Sequence, residues 1–142
     1  MLQDFVVKLK INSPVVRDAL LDGCAYVVRF EKKHPEEPTE PLSWFSQERC
    51  RRRIAAATAL DEQLIAGYQV VDVPVEIADA VASTIAEVIA EEMDALVCDT
   101  HDKRPRGLIL RRAAGLMEAL VALDGGVQRE VMPFDRFTVT RP

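Results

Sequence analysis

The densest group of residues that could bind a metal or act as nucleophiles is the stretch 91–102. If a helix continues through it, Glu91, Asp94, Cys98 and His101 project from one face at spacings of three and four. A thiolate, an imidazole and carboxylates are ligands that zinc accepts. The stretch lacks the paired-ligand spacing of known zinc motifs, and the alternative is a solvated acidic face leading into a polar turn. We therefore predict no metal and no cofactor.

The motifs that usually mark catalysis are missing from the sequence. Its six glycines form neither a phosphate-binding loop nor a dinucleotide fingerprint. Neither Gly-x-Ser-x-Gly nor His-Glu-x-x-His occurs. Of the two histidines, His34 lies in a Pro-rich segment, so a Ser–His–Asp mechanism would depend on His101. We expect a protein without enzymatic activity.

Two basic clusters interrupt the acidic background and could contact the phosphates of RNA or DNA. Aromatic residues that would stack on bases are missing around them, apart from two just upstream of the first cluster. The alternative is that these side chains pair with acidic residues of the helix predicted at 74–97, within the molecule or across an oligomer. The predicted nucleic-acid-binding residues are Arg49, Arg51, Arg52, Arg53, Lys103, Arg104, Arg106, Arg111 and Arg112.

A second set of residues has the character of a protein-binding surface. Trp44 and Phe45 are adjacent at a predicted helix start, where they point about 100° apart and can hardly share one core. One of them would be an exposed anchor for a partner, whereas the alternative is a hydrophobic staple at the helix start. The predicted partner-binding residues are Trp44, Phe45, Glu76, Asp79, Glu87, Glu91 and Asp94.

The first thirty residues are predicted to supply two strands and a short helix. Apolar residues alternate with polar ones from Phe5 to Ile11, which is typical of a half-buried strand. Ser13 and Pro14 mark a helix start, and Gly23 is expected to end that helix after Leu21. Tyr26 to Phe30 alternates again and predicts a second strand. A continuous helix over 14–33 is the competing interpretation.

The remaining sequence is mostly helical in pattern. Three prolines make 34–41 a linker. A long helix follows and is expected to end at Gly67, before an extended piece at 68–73. The clearest amphipathic helix covers 74–97, and another covers about 107–123, where Asp124-Gly125-Gly126 is expected to stop it. The tail alternates Phe137 and Val139 with threonines, which predicts an edge strand.

Length and composition set the frame for these elements. A chain of 142 residues with 49% apolar residues fits one domain, 1–142, with its own core. The net charge of −5 argues against a general nucleic-acid binder. The three cysteines are far apart in sequence, which favours reduced thiols. Without a secretory signal or a long apolar run, the expected location is cytoplasmic, with no membrane contact.

The opening residues resemble the start of the RRM-like backbone subunits of CRISPR effector complexes. The features are a strand that ends in Ser13-Pro14 and the following run from Leu20 to Tyr26, together about a fifth of the chain. The glycine-rich loops of that group are missing downstream, so no residue takes a role from the resemblance. It implies only a ribonucleoprotein setting.

The predicted fold is α+β and mainly helical, with three or four amphipathic helices on a small sheet from the N-terminal segment and the C-terminal tail. An all-α bundle with extended ends is the alternative. The predicted function is a non-enzymatic protein–protein interaction module, such as an adaptor, assembly subunit or inhibitor, that binds another protein or its own copies. The alternative is a nucleic-acid-contacting subunit of a larger complex that uses the arginine clusters.

Overall fold

The structure, a computed structural model, describes residues 5–33, 43–97 and 103–131, with side chains at 5–32, 47–97 and 103–128. The mainly helical α+β fold predicted from the sequence is confirmed. The elements in chain order are strand β1 (Val6–Lys10), helix α1 (Pro14–Lys33), helix α2 (Ser43–Ile65), strand β2 (Val70–Pro74), helix α3 (Val75–Val97) and helix α4 (Arg106–Val131).

The sheet is an antiparallel pair in which β1 and β2 run side by side, with Val6 opposite Pro74 and Lys10 opposite Val70. β1 alternates as predicted, with Val7 and Leu9 buried and its lysines exposed. The extended piece predicted at 68–73 is confirmed as β2 and supplies the second strand. The tail that was predicted to join the sheet lies outside the described residues.

The strand predicted at Tyr26–Phe30 is wrong, because α1 is one continuous helix through this segment. Leu20, Cys24 and Val27 are all buried, and their spacings of four and three are those of one helix face. Gly23 does not end the helix. An added Cβ there would lie 3.3 Å from the Cα of Val81, so the missing side chain lets α1 and α3 approach closely.

Helix α2 ends where the sequence predicted. Gly67 follows it with a φ of 86°, a left-handed conformation that glycine adopts without strain. The Arg17 guanidinium of α1 donates to the carbonyls of Leu64, at 2.8 Å, and Tyr68, at 3.0 Å. The Leu64 carbonyl also accepts from the backbone N–H of Gly67, at 3.1 Å, so Arg17 links α1 to the last turn of α2 and to the residues that follow it.

Helix α3 matches the helix predicted at 74–97, whereas α4 runs past its predicted stop. Asp124-Gly125-Gly126 lies inside α4, which continues to Val131. At Gly126 the helix crosses β1, and an added Cβ would overlap the side chain of Val7. The glycine therefore serves a close helix–strand contact, and it does not mark a helix end.

One hydrophobic core joins all six elements. Its members include Val7 from β1, Leu20 from α1, Leu60 from α2, Val71 from β2, and residues of α3 and α4. Among the described helices, none is long and apolar enough to cross a bilayer. The proline-rich segment 34–41, predicted as a linker, lies outside the described residues.

Candidate functional site

A cleft of about 550 Å³ opens among α1, α2 and α3, and we call it the α1–α3 cleft. Its lining combines aromatic, acidic and basic side chains, which is the composition of a binding site with oriented polar groups. The lining residues are Tyr26, Phe30, Glu31, Arg49, Arg53, Asp79, Ala80, Ser83, Thr84 and Glu87.

A buried ion pair forms the base of this cleft. Arg53 Nε donates to Glu31 Oε2 at 2.8 Å, and the two side chains are only 10% and 5% exposed. Arg53 Nη1 also donates to the backbone carbonyl of Glu76 and lies 3.6 Å from Asp79 Oδ1. Three helices are tied together through one guanidinium group. Because both charges are compensated where they are buried, the pair holds the cleft walls in fixed positions.

The second oxygen of Glu31 is also engaged. The thiol of Cys50 donates to Glu31 Oε1 across 2.9 Å. The carboxylate therefore accepts from both α2 residues, Cys50 and Arg53, which suits a structural group.

The rim of the cleft is aromatic on one side and acidic on the other. The rings of Tyr26 and Phe30 have centroids 5.9 Å apart with an interplanar angle of 31°. Both side chains are exposed, and the carboxylates of Asp79 and Glu87 lie on the α3 side. Exposed aromatic faces attract cations, and carboxylates pair with them. Because Asp79 already lies 3.6 Å from Arg53 Nη1, Glu87 is the carboxylate of this rim with which an added cationic side chain would pair.

The structure brings together residues that the sequence had assigned to two separate surfaces. Asp79 and Glu87, predicted to bind a protein partner, line the same cleft as Arg49 and Arg53, predicted to bind nucleic acid. Of the other predicted partner-binding residues on α3, Glu91 and Asp94 are exposed and lie outside the cleft lining. Trp44 and Phe45 belong to α2, and their side chains lie outside the described part of the chain.

Several predicted nucleic-acid-binding arginines form internal ion pairs. Arg52 Nε lies 3.0 Å from Glu76 Oε2, whose side chain is 11% exposed. Arg51 pairs with Glu48 on the surface of α2, at 2.7 Å. Arg52 and Arg53 thus contact acidic residues of α3, the internal pairing that the sequence offered as the alternative to phosphate binding.

Two arginines of the second basic cluster contact a buried carboxylate. Glu92 is 6% exposed and lies in α3 near the start of α4. Arg104 Nη1 is 3.0 Å from Glu92 Oε1, and Arg112 Nε donates to Oε2 at 3.3 Å. Arg106 donates to the carbonyl of Leu96 at 3.1 Å. The side chains of Lys103 and Arg111 are exposed.

Within the described residues, no three His, Cys, Asp or Glu side chains are grouped so that they could hold a metal ion. Cys98 and His101, the centre of the metal site considered from the sequence, lie outside these residues. Cys24 lies among the described residues and is buried. Its burial raises the pKa of the thiol to about 12, and the charge of Asp61 is a smaller cause of this shift.

Sequence reasoning missed Tyr26, Phe30 and Glu31 as cleft residues because it placed the first two in a strand. A signal was available for Glu31. It continues the buried series Leu20, Cys24 and Val27 at a spacing of four, so a helix through this segment places its carboxylate on the core side.

Comparison with known proteins does not assign this chain to a family. No protein-family model, no curated protein and no solved structure matches it.

Proposed function

We propose that this protein is a non-catalytic interaction module that binds a protein partner in the α1–α3 cleft. The observation that supports this is the pairing of two exposed aromatic rings, Tyr26 and Phe30, with the carboxylates of Asp79 and Glu87 around one opening. Aromatic residues dominate the energetics of protein interfaces when a partner covers them.

The occupant we propose is a basic segment of the partner. Helix α3 contains no Lys or Arg, and five of its six acidic residues, at 76, 79, 87, 91 and 94, follow one side of the helix, whereas Glu92 is buried. An arginine or lysine of the partner would stack on Tyr26 or Phe30 and pair with Glu87. The remaining carboxylates of α3 would steer association by their field.

Protein binding is preferred to nucleic-acid binding for a specific reason. The guanidinium groups of Arg52, Arg53, Arg104 and Arg112 contact carboxylates of α1 or α3. Phosphate binding by these groups would first require breaking those four pairs, three of which have a buried carboxylate, Glu31 in one and Glu92 in two. A nucleic-acid-contacting subunit remains the second candidate, through the exposed Lys103 and Arg111.

The test is capture from the native cell extract with matched charge-reversed baits, with and without nuclease. We expect the unmodified protein to retain a defined protein partner after nuclease treatment. Glu87→Arg should lose that partner, because it places a positive charge beside the aromatic rim. Glu62→Arg is the control, since it makes the same change at an exposed position of α2 away from the cleft.

Two outcomes contradict the proposal. Partner capture that survives Glu87→Arg and Tyr26→Ala would remove the cleft from the interaction. A partner that is lost on nuclease treatment would favour the nucleic-acid alternative, which Lys103→Ala together with Arg111→Ala would then weaken.

A further inference from the structure

Helices α3 and α4 share an apolar surface that no other described part of the chain covers, and we call it the α3–α4 face. On α4 it consists of Leu110, Ala114, Met117 and Val121, of which the largest three are 48%, 43% and 73% exposed. Such a row is unusual on a helix whose neighbouring side, about 100° away, is already buried through Ile109, Ala113 and Leu116.

Helix α3 contributes a parallel row to the same face. This row consists of the partly or fully exposed Ala82, Ala86, Ile89 and Met93, again at spacings of four, three and four. At one end the two rows border an apolar groove of about 600 Å³, which is lined by Ala82 from α3 and by Leu120 and Val121 from α4. Two apolar rows on neighbouring helices form half of a four-helix bundle.

We infer that a second copy of this chain covers the α3–α4 face, with the two α4 helices antiparallel across a two-fold axis. This surface is separate from the aromatic rim of the α1–α3 cleft, although Asp79 borders both openings. The inference does not depend on the proposed function.

The spacing of the α4 row is the same in both directions along the helix, so the row can pack against an antiparallel copy of itself. The row advances by four, three and four residues, which is the spacing of a helix–helix seam. Reversal about the midpoint between Gly115 and Leu116 places Leu110 opposite Val121, and Ala114 opposite Met117. At the centre, Ala114 of each copy then packs against Met117 of the other, and such small–large pairs allow the side chains to interdigitate. A two-fold axis produces such self-complementary contacts from a single surface.

The charges of α4 also favour the antiparallel orientation. The first half of the helix carries Arg106 and Arg111, and the later half carries Glu118 and Asp124 on its exposed side. Glu118 Oε1 accepts from Asn12 Nδ2 within the chain, and antiparallel pairing brings Arg111 of the second copy next to the same carboxylate. The reverse pair forms by symmetry. It also brings Asp124 to the positive N-terminal end of the other α4. A parallel arrangement would place like charges together along the seam.

The area of the seam is near the lower end of the range for specific dimers. Each apolar row spans twelve residues, about 17 Å, and with the charged residues from Arg106 to Asp124 the seam is about 27 Å long. Two helices about 10 Å wide then present roughly 550 Å², against about 600–1,000 Å² per partner in specific interfaces. The groove beside Val121 gives the interface a depression into which a side chain of the second copy can insert.

The experiment is sedimentation equilibrium on the full chain, compared among matched variants. We expect the unmodified protein to be a dimer at micromolar concentration. Val121→Glu should weaken the dimer by about 30-fold or more, because it buries a charge at the seam. The control, Ala122→Glu, makes the same change at the next exposed position of α4, outside the seam, and should remain dimeric.

A charge exchange tests the orientation. Arg111→Glu and Glu118→Arg should each weaken the dimer several-fold, and the double variant should restore it, since opposite charges again meet across the axis. Circular dichroism on each variant establishes that the helices are intact. A monomer at every concentration, a dimer unaffected by Val121→Glu, or a double variant no better than either single variant would overturn the inference. None of these results bears on capture of a partner by the α1–α3 cleft.

Discussion

The three buried charged residues of the described chain each continue an apolar helix face. Glu31 follows Val27 and Cys24, Arg53 precedes Ala57 and Leu60, and Glu92 follows Ile85, all at helical spacing. A charge at such a position is costly unless it is paired. The pairs follow from this requirement, since Glu31 binds Arg53, and Glu92 binds two arginines from the start of α4 and the residues before it.

Breaking the buried pair should therefore destabilise the fold strongly. Arg53→Ala leaves the Glu31 carboxylate without its charged partner in a site that is 5% exposed. We expect the free energy of unfolding to fall by about 3 kcal/mol or more. Chemical denaturation at neutral pH measures it.

The matched control is Arg51→Ala, which removes an arginine two positions earlier. Its partner Glu48 is on the surface, and the two side chains are 68% and 38% exposed, so the loss should stay below about 1 kcal/mol. The double variant Glu31→Leu with Arg53→Leu should cost less than Arg53→Ala, because no charge remains buried. Equal losses for the two alanine variants would contradict this account of Arg53.

The Cys24 thiol supplies a pH-dependent contribution to stability. Burial, with a smaller contribution from Asp61, raises its pKa from 9.0 to about 12, so the unfolded chain loses this proton before the native protein does. The contribution of Cys24 to the free energy of unfolding is constant below pH 9.0, the ordinary thiol pKa, and decreases as the pH rises from there to the native pKa of about 12. We expect the stability difference between the unmodified protein and Cys24→Ala to narrow between about pH 8 and about pH 10.5, by up to about 1.4 kcal/mol per pH unit. Denaturant titrations of both proteins at these pH values measure the difference. A constant difference would contradict a raised pKa.

At the scale of elements, glycine was used to predict where helices end, and this prediction was correct at one position and wrong at two. Gly67 ends α2 with a positive φ, as predicted. Gly23 and Gly126 were expected to end helices, yet both lie inside them where another element comes close. Local sequence does not distinguish a glycine needed for its φ from one needed for its missing Cβ, since the second depends on a neighbour distant in the chain. The two resulting errors concern α1 and the end of α4.

Gly126→Ala tests this close contact. In an ordinary helix interior the change stabilises by up to about 1 kcal/mol, because alanine is the better helix former. Here the new methyl group meets Val7, with the Val7 Cβ atom at 3.2 Å, so we expect destabilisation of about 1–3 kcal/mol. Gly107→Ala, in the first turn of the same helix, has its nearest atom at 3.7 Å and should be neutral or stabilising. Thermal unfolding of both variants measures the difference. An equal rise in Tm for the two would contradict a close contact between α4 and β1 at Gly126.

The candidate site was predictable in its residues more than in its shape. Asp79, Glu87, Arg49 and Arg53 were selected from charge patterns along single helices, because such patterns are visible in sequence. Their convergence on one cleft depends on how α1, α2 and α3 cross, which no local pattern encodes. The aromatic rim was missed because alternation over five residues favoured a strand, and tertiary packing of a continuous α1 overrode that preference.

At the scale of the whole molecule, the short sheet connects parts of the chain that are far apart in sequence. β1 pairs with β2 about sixty residues later, α4 crosses β1 at Gly126, and α1 donates to the end of α2 through Arg17. The core draws on every element, including the helices on both sides of the segment 34–42. No described helix has a separate core of its own in this arrangement.

The chain should therefore unfold as one cooperative unit, in agreement with the single domain predicted from its length. Loss of α4 would expose Val7 and the apolar side of α3, so α4 is not expected to detach before the rest. Hydrogen exchange in increasing urea provides the measurement. Amides in the middle of α1, α3 and α4 and in both strands should converge on one free energy of opening, that of global unfolding. A lower opening energy confined to α4, with β1 and α1 still protected, would show instead that the last helix folds on a preformed core.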